Sequence, residues 1–242
     1  MRLRKLRKKR RREQMYVELI AYSTLFVNHK VHENPMEIVE QCASVCYDSA
    51  PDFNNYRIAK GCAKTGHTSV YEHVYFTFSV SGISRACLAQ LTRHRHFSFS
   101  VRSQRYCDEG NAGAIVPFNL TDEQREILMQ TYDEEFDKYQ VLRAAGVEKE
   151  DARMVLPNGC ETELYVSMNA RALIEASHLR LCSRAQSEIR KMFELMKKEI
   201  DLISPEIAAM MVPQCEINPS YPFCTEYKSC GRHKTLKEVY KK

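Results

Sequence analysis

What this 242-residue sequence lacks narrows its function before any motif is considered. No stretch approaches the roughly 18 consecutive apolar residues that a membrane-spanning helix needs. Its first residues are charged where a secretory signal would turn apolar. A cytoplasmic protein with no membrane partner is therefore expected. Between residues 15 and 213 no internal repeat or low-complexity linker divides the chain. Neither G-x-G-x-x-G nor G-x-x-x-x-G-K-[ST] occurs, which excludes the two glycine-rich phosphate cradles. Any grip on phosphate has to come from side chains. The 35 residues between Glu72 and Asp108 contain no carboxylate, and their five basic residues are all arginine. Arginine without lysine favours planar, bidentate recognition of phosphate or carboxylate over a diffuse positive field.

What is present supports a folded domain. Hydrophobic residues make up 44% and aromatics 10%, enough for a substantial core. The net charge of +5 divides unevenly, because residues 1–14 hold nine Lys or Arg against one Glu and the rest of the chain sums to −3. A run of like charge this dense is expected to be disordered. It reads either as an arm for nucleic acid or another anionic surface, or as an upstream translational start before a folded part opening at Met15. Ten cysteines without a signal peptide point to a reducing compartment. Cys42, Cys46, Cys62, Cys87, Cys107 and Cys182 read as small core residues. Cys215, Cys224, Cys230 and His233 lie close in sequence, but their spacings do not match the C-x₂₋₄-C knuckle of structural zinc sites, and no metal is expected.

Periodicity predicts strands over 16–27, 73–82 and 162–169, and helices over 34–49, 56–65, 83–95, 121–146 and 148–157. One or two further helices are expected from 170 to 200. These elements predict an α+β fold, a single domain over 15–213 with a mixed or antiparallel sheet core flanked by helices. Residues 214–242 form a polar, cysteine-rich tail.

The segment RHRHFSFSVRSQRY (93–106) concentrates Arg93, Arg95, Arg102 and Arg105, with Ser98, Ser100 and Ser103 as secondary donors. On chemistry alone it reads as a solvated basic loop, as a nucleic-acid binder stacking His96, Phe97, Phe99 and Tyr106 on bases, or as a nucleotide or dinucleotide site. The acidic body and the local concentration of arginine favour the last, and nucleic acid is not expected as a partner.

Arg93-His94-Arg95, seven residues, then Ser103 resembles the R-H-R-x₇-S signature of flavin-dependent thymidylate synthases. GHTSVYEHVYFTF (66–78), DARMVLP (151–157), MNARAL (168–173) and HLRLCSRAQSEI (178–189) are similar to further segments of that family in the same order, and the resemblance spans about residues 16–210. It implies a homotetramer with active sites shared between subunits. It implies FAD as cofactor, dUMP, methylenetetrahydrofolate and NADPH as substrates, and reductive methylation of dUMP to dTMP without a cysteine nucleophile. A non-catalytic nucleotide- or nucleic-acid-binding protein, using the arginine-rich loop and the basic arm, is the alternative reading.

The same resemblance places His67, Ser69, Arg93, His94, Arg95, His96, Val101, Asn169, Ala170, Arg171 and Glu175 at the flavin, with Glu72 and His73 beside them. It places Gln90, Arg93, Val101, Arg102, Ser103, Gln104, Arg105, Arg153 and Arg180 at dUMP. Arg180 is the expected catalytic group, its guanidinium stabilising negative charge at N3 and O2 of the pyrimidine as C5 attacks the one-carbon carrier. Taken alone, Arg171 and Glu175 also read as an i,i+4 ion pair, and His67 as the end of a helix. The chain departs from the family pattern at Ser100 and Val101, where relatives often carry Asn and Glu. Cys46 and Arg184 are further departures.

Overall fold

The computed structural model describes residues 15–240. The basic stretch 1–14, expected to be a disordered arm, lies outside them. Strand β1 (Tyr16–Tyr22) is followed by a separate hairpin of β2 (Leu25–Val27) and β3 (Lys30–His32). The hairpin is antiparallel and pairs Phe26 with Val31. Its two turn residues, Asn28 and His29, have φ of 50° and 60°. Two successive left-handed residues are what a type I′ turn requires, and Asn tolerates that region better than most side chains. The single strand expected over 16–27 is thus two, because the chain reverses at 28–29 and residues 25–27 pair with their own successors.

Helix α1 (Met36–Cys46) starts where the Asn34 side chain accepts from the Met36 N–H at 2.9 Å. Helix α2 (Arg57–Thr65) begins without a side-chain cap of its own. Its cap is delivered by Glu40, a fully buried carboxylate of α1 that accepts from the N–H groups of Asp52 (3.0 Å), Ile58 (3.3 Å) and Ala59 (2.7 Å). A carboxylate at a helix N-terminus satisfies orphan N–H groups and meets the positive end of the helix dipole. Gly66 ends α2 at φ 81°, and the Gly66 and His67 N–H groups return to Ala63 and Cys62 carbonyls. The backbone of His67 thus closes the helix while its side chain stays exposed.

A 3₁₀ turn (Thr68–His73) feeds strand β4 (Tyr75–Ser84), whose alternating Phe76, Phe78 and Val80 are buried. Ser84 ends the strand and caps helix α3 (Arg85–Leu91), accepting from the Cys87 N–H at 3.0 Å. The helix expected over 83–95 is shorter for this reason, its first two residues belonging to the strand. Strand β5 (Ser98–Val101) lies inside the arginine-rich segment, where no strand was expected. Helix α4 (Asp122–Ala144) opens with a reciprocal capping box between Thr121 and Gln124. Helix α5 (Lys149–Ala152) runs into a 3₁₀ turn (Arg153–Val155) before strand β6 (Glu161–Asn169). The expected helical stretch from 170 onward is two helices, α6 (Ala170–Arg180) and α7 (Ser187–Asp201), followed by α8 (Pro205–Met210) and α9 (Leu236–Tyr240). The larger sheet has the strand order β1-β4-β6-β5, and helices flank it, in agreement with the expected α+β class. No described helix is long and apolar enough to cross a membrane.

The chain separates into two compact units. One is built from Ser79–Arg93 and Phe99–Val166 together with the stretch up to Val17; its core includes Ile83, Cys87, Leu91, Tyr139, Cys160 and Leu164. The other comprises Glu18–Phe78, His94–Ser98 and the chain from Ser167 onward. Its core is lined by α7, whose buried Ile189, Met192, Phe193, Met196 and Ile200 recur at helical spacing. Of the cysteines expected in the core, Cys62 and Cys87 are buried, whereas Cys46, on the last turn of α1, is exposed.

Replacing Glu40 with Ala would strand the N–H groups of Ile58 and Ala59 in a buried setting, at a cost of about 2–4 kcal/mol. Thermal unfolding should report a midpoint lowered by several degrees, with Glu40→Gln falling between the two.

Candidate active site

In the unit containing α6, two clusters form around arginines of that helix. At its start, the Asn169 side chain caps α6 by accepting from the Ala172 N–H at 2.8 Å. The cap uses only Oδ1, which leaves the amide Nδ2 as a donor outside the cap bond. Two residues on, Arg171 donates Nη1 to Glu72 at 2.7 Å and Nε to Glu175 at 2.8 Å. The i,i+4 pair read from sequence is present, and Glu72 joins it from the 3₁₀ turn before β4. Hydrogen bonds from Arg171 to Glu175 and then Glu72 push its pKa up, so it is a permanent cation. His67, Ser69 and His73 are exposed around the same turn.

At the end of α6, Arg180 donates Nε to His94 Nε2 at 2.9 Å. Arginine has no acceptor, so His94 must present a lone pair at Nε2 and carry its proton on Nδ1. Burial first, and the Arg180 charge second, lower the His94 pKa to about 4. The imidazole is stacked on Phe97 with centroids 5.0 Å apart, and Phe193 of α7 tilts against it at 6.1 Å. A neutral, aromatic-walled imidazole therefore fixes the orientation of the arginine singled out from sequence. The neighbouring Arg95 and His96 are exposed, and among the described residues Arg95 has no carboxylate partner.

In the other unit, the arginines of the segment have found partners that its composition did not reveal. Arg102 directs Nε to Glu109 at 3.3 Å, and its carbonyl accepts from Arg85 Nη2 at 2.8 Å. Glu109 is buried, and desolvation raises its pKa, with Arg102 and Arg85 pulling it back. Arg105 lies over the Tyr106 ring at 5.5 Å and pairs with Glu150. Arg153 donates Nε to the Glu150 carbonyl at 3.0 Å. The Ser103 hydroxyl accepts from the Arg105 N–H at 3.2 Å, and Gln104 donates to the Cys160 sulfur at 3.5 Å. Arg105 and Arg153 thus both meet Glu150, one at its carboxylate and one at its main-chain carbonyl, a residue the sequence reading did not single out. Its place three residues before Arg153 was the available signal. Gln90 and Arg93 lie at the end of α3 and just beyond it, where the Gln90 side chain donates to the Ala86 carbonyl at 3.4 Å. Arg93 is exposed, and Val101 closes β5.

The donor set suits a flavin dinucleotide and a nucleotide monophosphate. In the unit containing α6, exposed Arg95 carries an available charge and Arg171 is a fixed donor in the first turn of the helix that Asn169 caps; Arg93, in the other unit, is also exposed. Arg105 and Arg153 add two further guanidinium groups, with the Ser103 hydroxyl beside the Arg105 main chain.

The His94 pKa sets a sign for the pH dependence. The unfolded chain takes up a proton below its ordinary value of 6.5, whereas the folded site takes it up only near 4, so stability is full above pH 6.5 and declines as pH falls toward 4. His94→Gln should flatten that decline in thermal unfolding measured across the window.

The chain matches the family described as Thymidylate synthase complementing protein over residues 26–206. It is 40% identical over 181 residues to a flavin-dependent thymidylate synthase of Geobacter sulfurreducens, covering 73% of this chain and 76% of the relative. A flavin-dependent thymidylate synthase of Clostridium tetani is 31% identical over 234 residues, covering 86% and 93%. Among solved structures, the UMP/dUMP methylase PolB from Streptomyces cacaoi, bound with 5-Br dUMP, shares the fold with a TM-score of 0.69 at 24% identity, covering 82% of this chain and 95% of that one. Coverage on this scale, in the order of the motifs that hold Arg93–Ser103, Arg153, Arg171 and Arg180, makes the chain a member of the thymidylate synthase complementing protein family, the flavin-dependent thymidylate synthases.

Proposed function

We propose that this protein methylates dUMP to dTMP as an FAD-dependent enzyme, taking the one-carbon unit from methylenetetrahydrofolate and electrons from NADPH. The observation that carries the reading is the Arg180–His94 pair, a fixed guanidinium on a chain whose family is described by thymidylate synthesis. The flavin, when bound, supplies the hydride that turns the transferred carbon into a methyl group. Arg93, His94, Arg95, His96, Val101, Asn169, Ala170, Arg171 and Glu175, with His67 and Ser69, are the residues we assign to holding it. A homotetramer with shared sites belongs to the same reading.

For dUMP, Ser103, Arg105 and Arg153 take the phosphate, with Gln90, Arg93, Val101, Arg102 and Gln104 as further contacts. The incoming phosphate replaces Glu150 on Arg105, an exchange of one anion for another that keeps the guanidinium paired throughout. Arg180 faces the pyrimidine. Making C5 nucleophilic pushes electron density toward N3 and O2, and a guanidinium aimed there beforehand lowers the barrier without reorganising. His94, neutral at pH 7, holds that aim without adding a second positive charge.

Purified protein should be yellow, with the flavin absorbance bleached by NADPH, and should release tritium from C5-labelled dUMP. Colourless protein that takes up no FAD overturns the reading. Arg180→Ala should abolish turnover while bound flavin is retained; loss of flavin with activity kept would contradict its assignment. Arg105→Ala should raise the KM for dUMP about 10- to 100-fold, the loss of a charge-assisted contact, whereas Glu150→Gln should lower it by removing the competing anion.

A further inference from the structure

Outside the family-matched residues 26–206, the segment after α8 brings three metal-ligating side chains to one point. The donor atoms of Cys215, Glu216 and His233 all lie within 4.8 Å of one another. Cys215 and Glu216 belong to a 3₁₀ turn (Gln214–Glu216), and His233 returns to it from 17 residues further on. Cys215 and His233 line a cavity of about 220 Å³ that also receives Cys182, Cys224 and Cys230, and Glu216 meets His233 beside it. We propose that this cavity is a binding site for a thiophilic divalent cation of the zinc class, held by Cys215 Sγ, a Glu216 oxygen and a His233 ring nitrogen. Cys182 and Cys230 are the thiols available for the fourth position.

Tetrahedral zinc with one sulfur and one imidazole ligand needs those donor atoms about 3.5 Å apart. The groups here lie within 4.8 Å of one another, a separation that changes in side-chain torsion can reduce to that value. A simpler account treats Glu216 as the centre of an ion-pair cluster, since its Oε1 lies 3.3 Å from His233 Nε2 and 3.6 Å from Arg232 Nη1. That explains Glu216 and His233. It leaves unexplained why a thiol enters the same sphere and three more, Cys182, Cys224 and Cys230, line the cavity wall. Arg232 is well exposed and can turn to solvent when a cation takes its place. Binding converts the Cys215 thiol to a thiolate and releases one proton to solvent, so the site's affinity rises with pH.

The site also has a structural consequence. Cys182 follows Arg180 by two residues, and the same junction is held to the C-terminal segment by Arg184, which donates to the Lys228 carbonyl at 2.6 Å, and by His178 Nδ1 at 2.8 Å from the Val212 carbonyl. A metal here would pin the end of the helix that carries Arg180.

The test uses the full chain, expressed in zinc-supplemented medium and purified with a non-chelating reductant. Elemental analysis should find on the order of one zinc per chain. Replacement by cobalt(II) should give the intense visible bands and near-ultraviolet charge transfer of a tetrahedral thiolate site. Cys215→Ser and His233→Ala should each abolish that spectrum, while Cys46→Ser, at the exposed end of α1, keeps it. Three results overturn the proposal: no metal either as isolated or after reconstitution; a pale octahedral cobalt spectrum; or mass-spectrometric evidence that Cys215 is already in a disulfide in freshly purified protein. Because the cobalt spectrum is read on the unaltered chain, a variant that fails to fold does not blunt the test.

Discussion

The hydrogen bond from Arg180 to His94 constrains more of this protein than its single contact suggests. An arginine can only donate, so the imidazole is committed to one tautomer. Keeping the imidazole neutral requires a partly desolvated setting, which Phe97 and Phe193 provide. Phe193 is in turn a core residue of α7, so the hydrophobic packing of that helix and the electrostatics of the site are one arrangement. A substitution that loosened the core under α7 would reach the guanidinium through the ring.

The remaining arginines illustrate a second constraint. Cations waiting for anionic ligands carry a cost if left bare in a partly buried site, and this chain meets it with carboxylates from elsewhere in the sequence. Arg171 rests between Glu72 and Glu175, Arg105 on Glu150, and Arg102 on buried Glu109. The first two are exposed enough to exchange their partners for a ligand. Arg102 is different, since its carboxylate is sequestered and its own carbonyl is bonded by Arg85. It braces the segment as much as it charges it.

Local signals were legible where they were redundant. The strand expected over 73–82, the helix expected over 121–146 and the Arg171–Glu175 spacing all correspond to what is observed. Strand β5 was not legible, because Ser98-Phe99-Ser100-Val101 is too short to outweigh its polar surroundings and gains its identity from its neighbour in the sheet. Glu150 and Glu109 escaped for a related reason. Their partners are defined by the fold, with Glu150 lying 45 residues from Arg105. The cysteine-rich tail shows the limit of spacing rules most directly. Judged by intervals, Cys215 and His233 did not fit a metal knuckle, yet a turn and a return of the chain bring them face to face.

Helix α6 carries Arg171 and Arg180 nine residues apart, which is about 2.5 turns of an α-helix. The two guanidiniums therefore leave the helix on opposite sides, one toward Glu72 and Glu175, the other toward His94. The Asn169 cap sets the angular zero from which both are measured. Inserting a single residue between them would rotate one by about 100° relative to the other while leaving the helix intact. The number of residues between those two arginines therefore acts as a gauge of the angle between the two clusters.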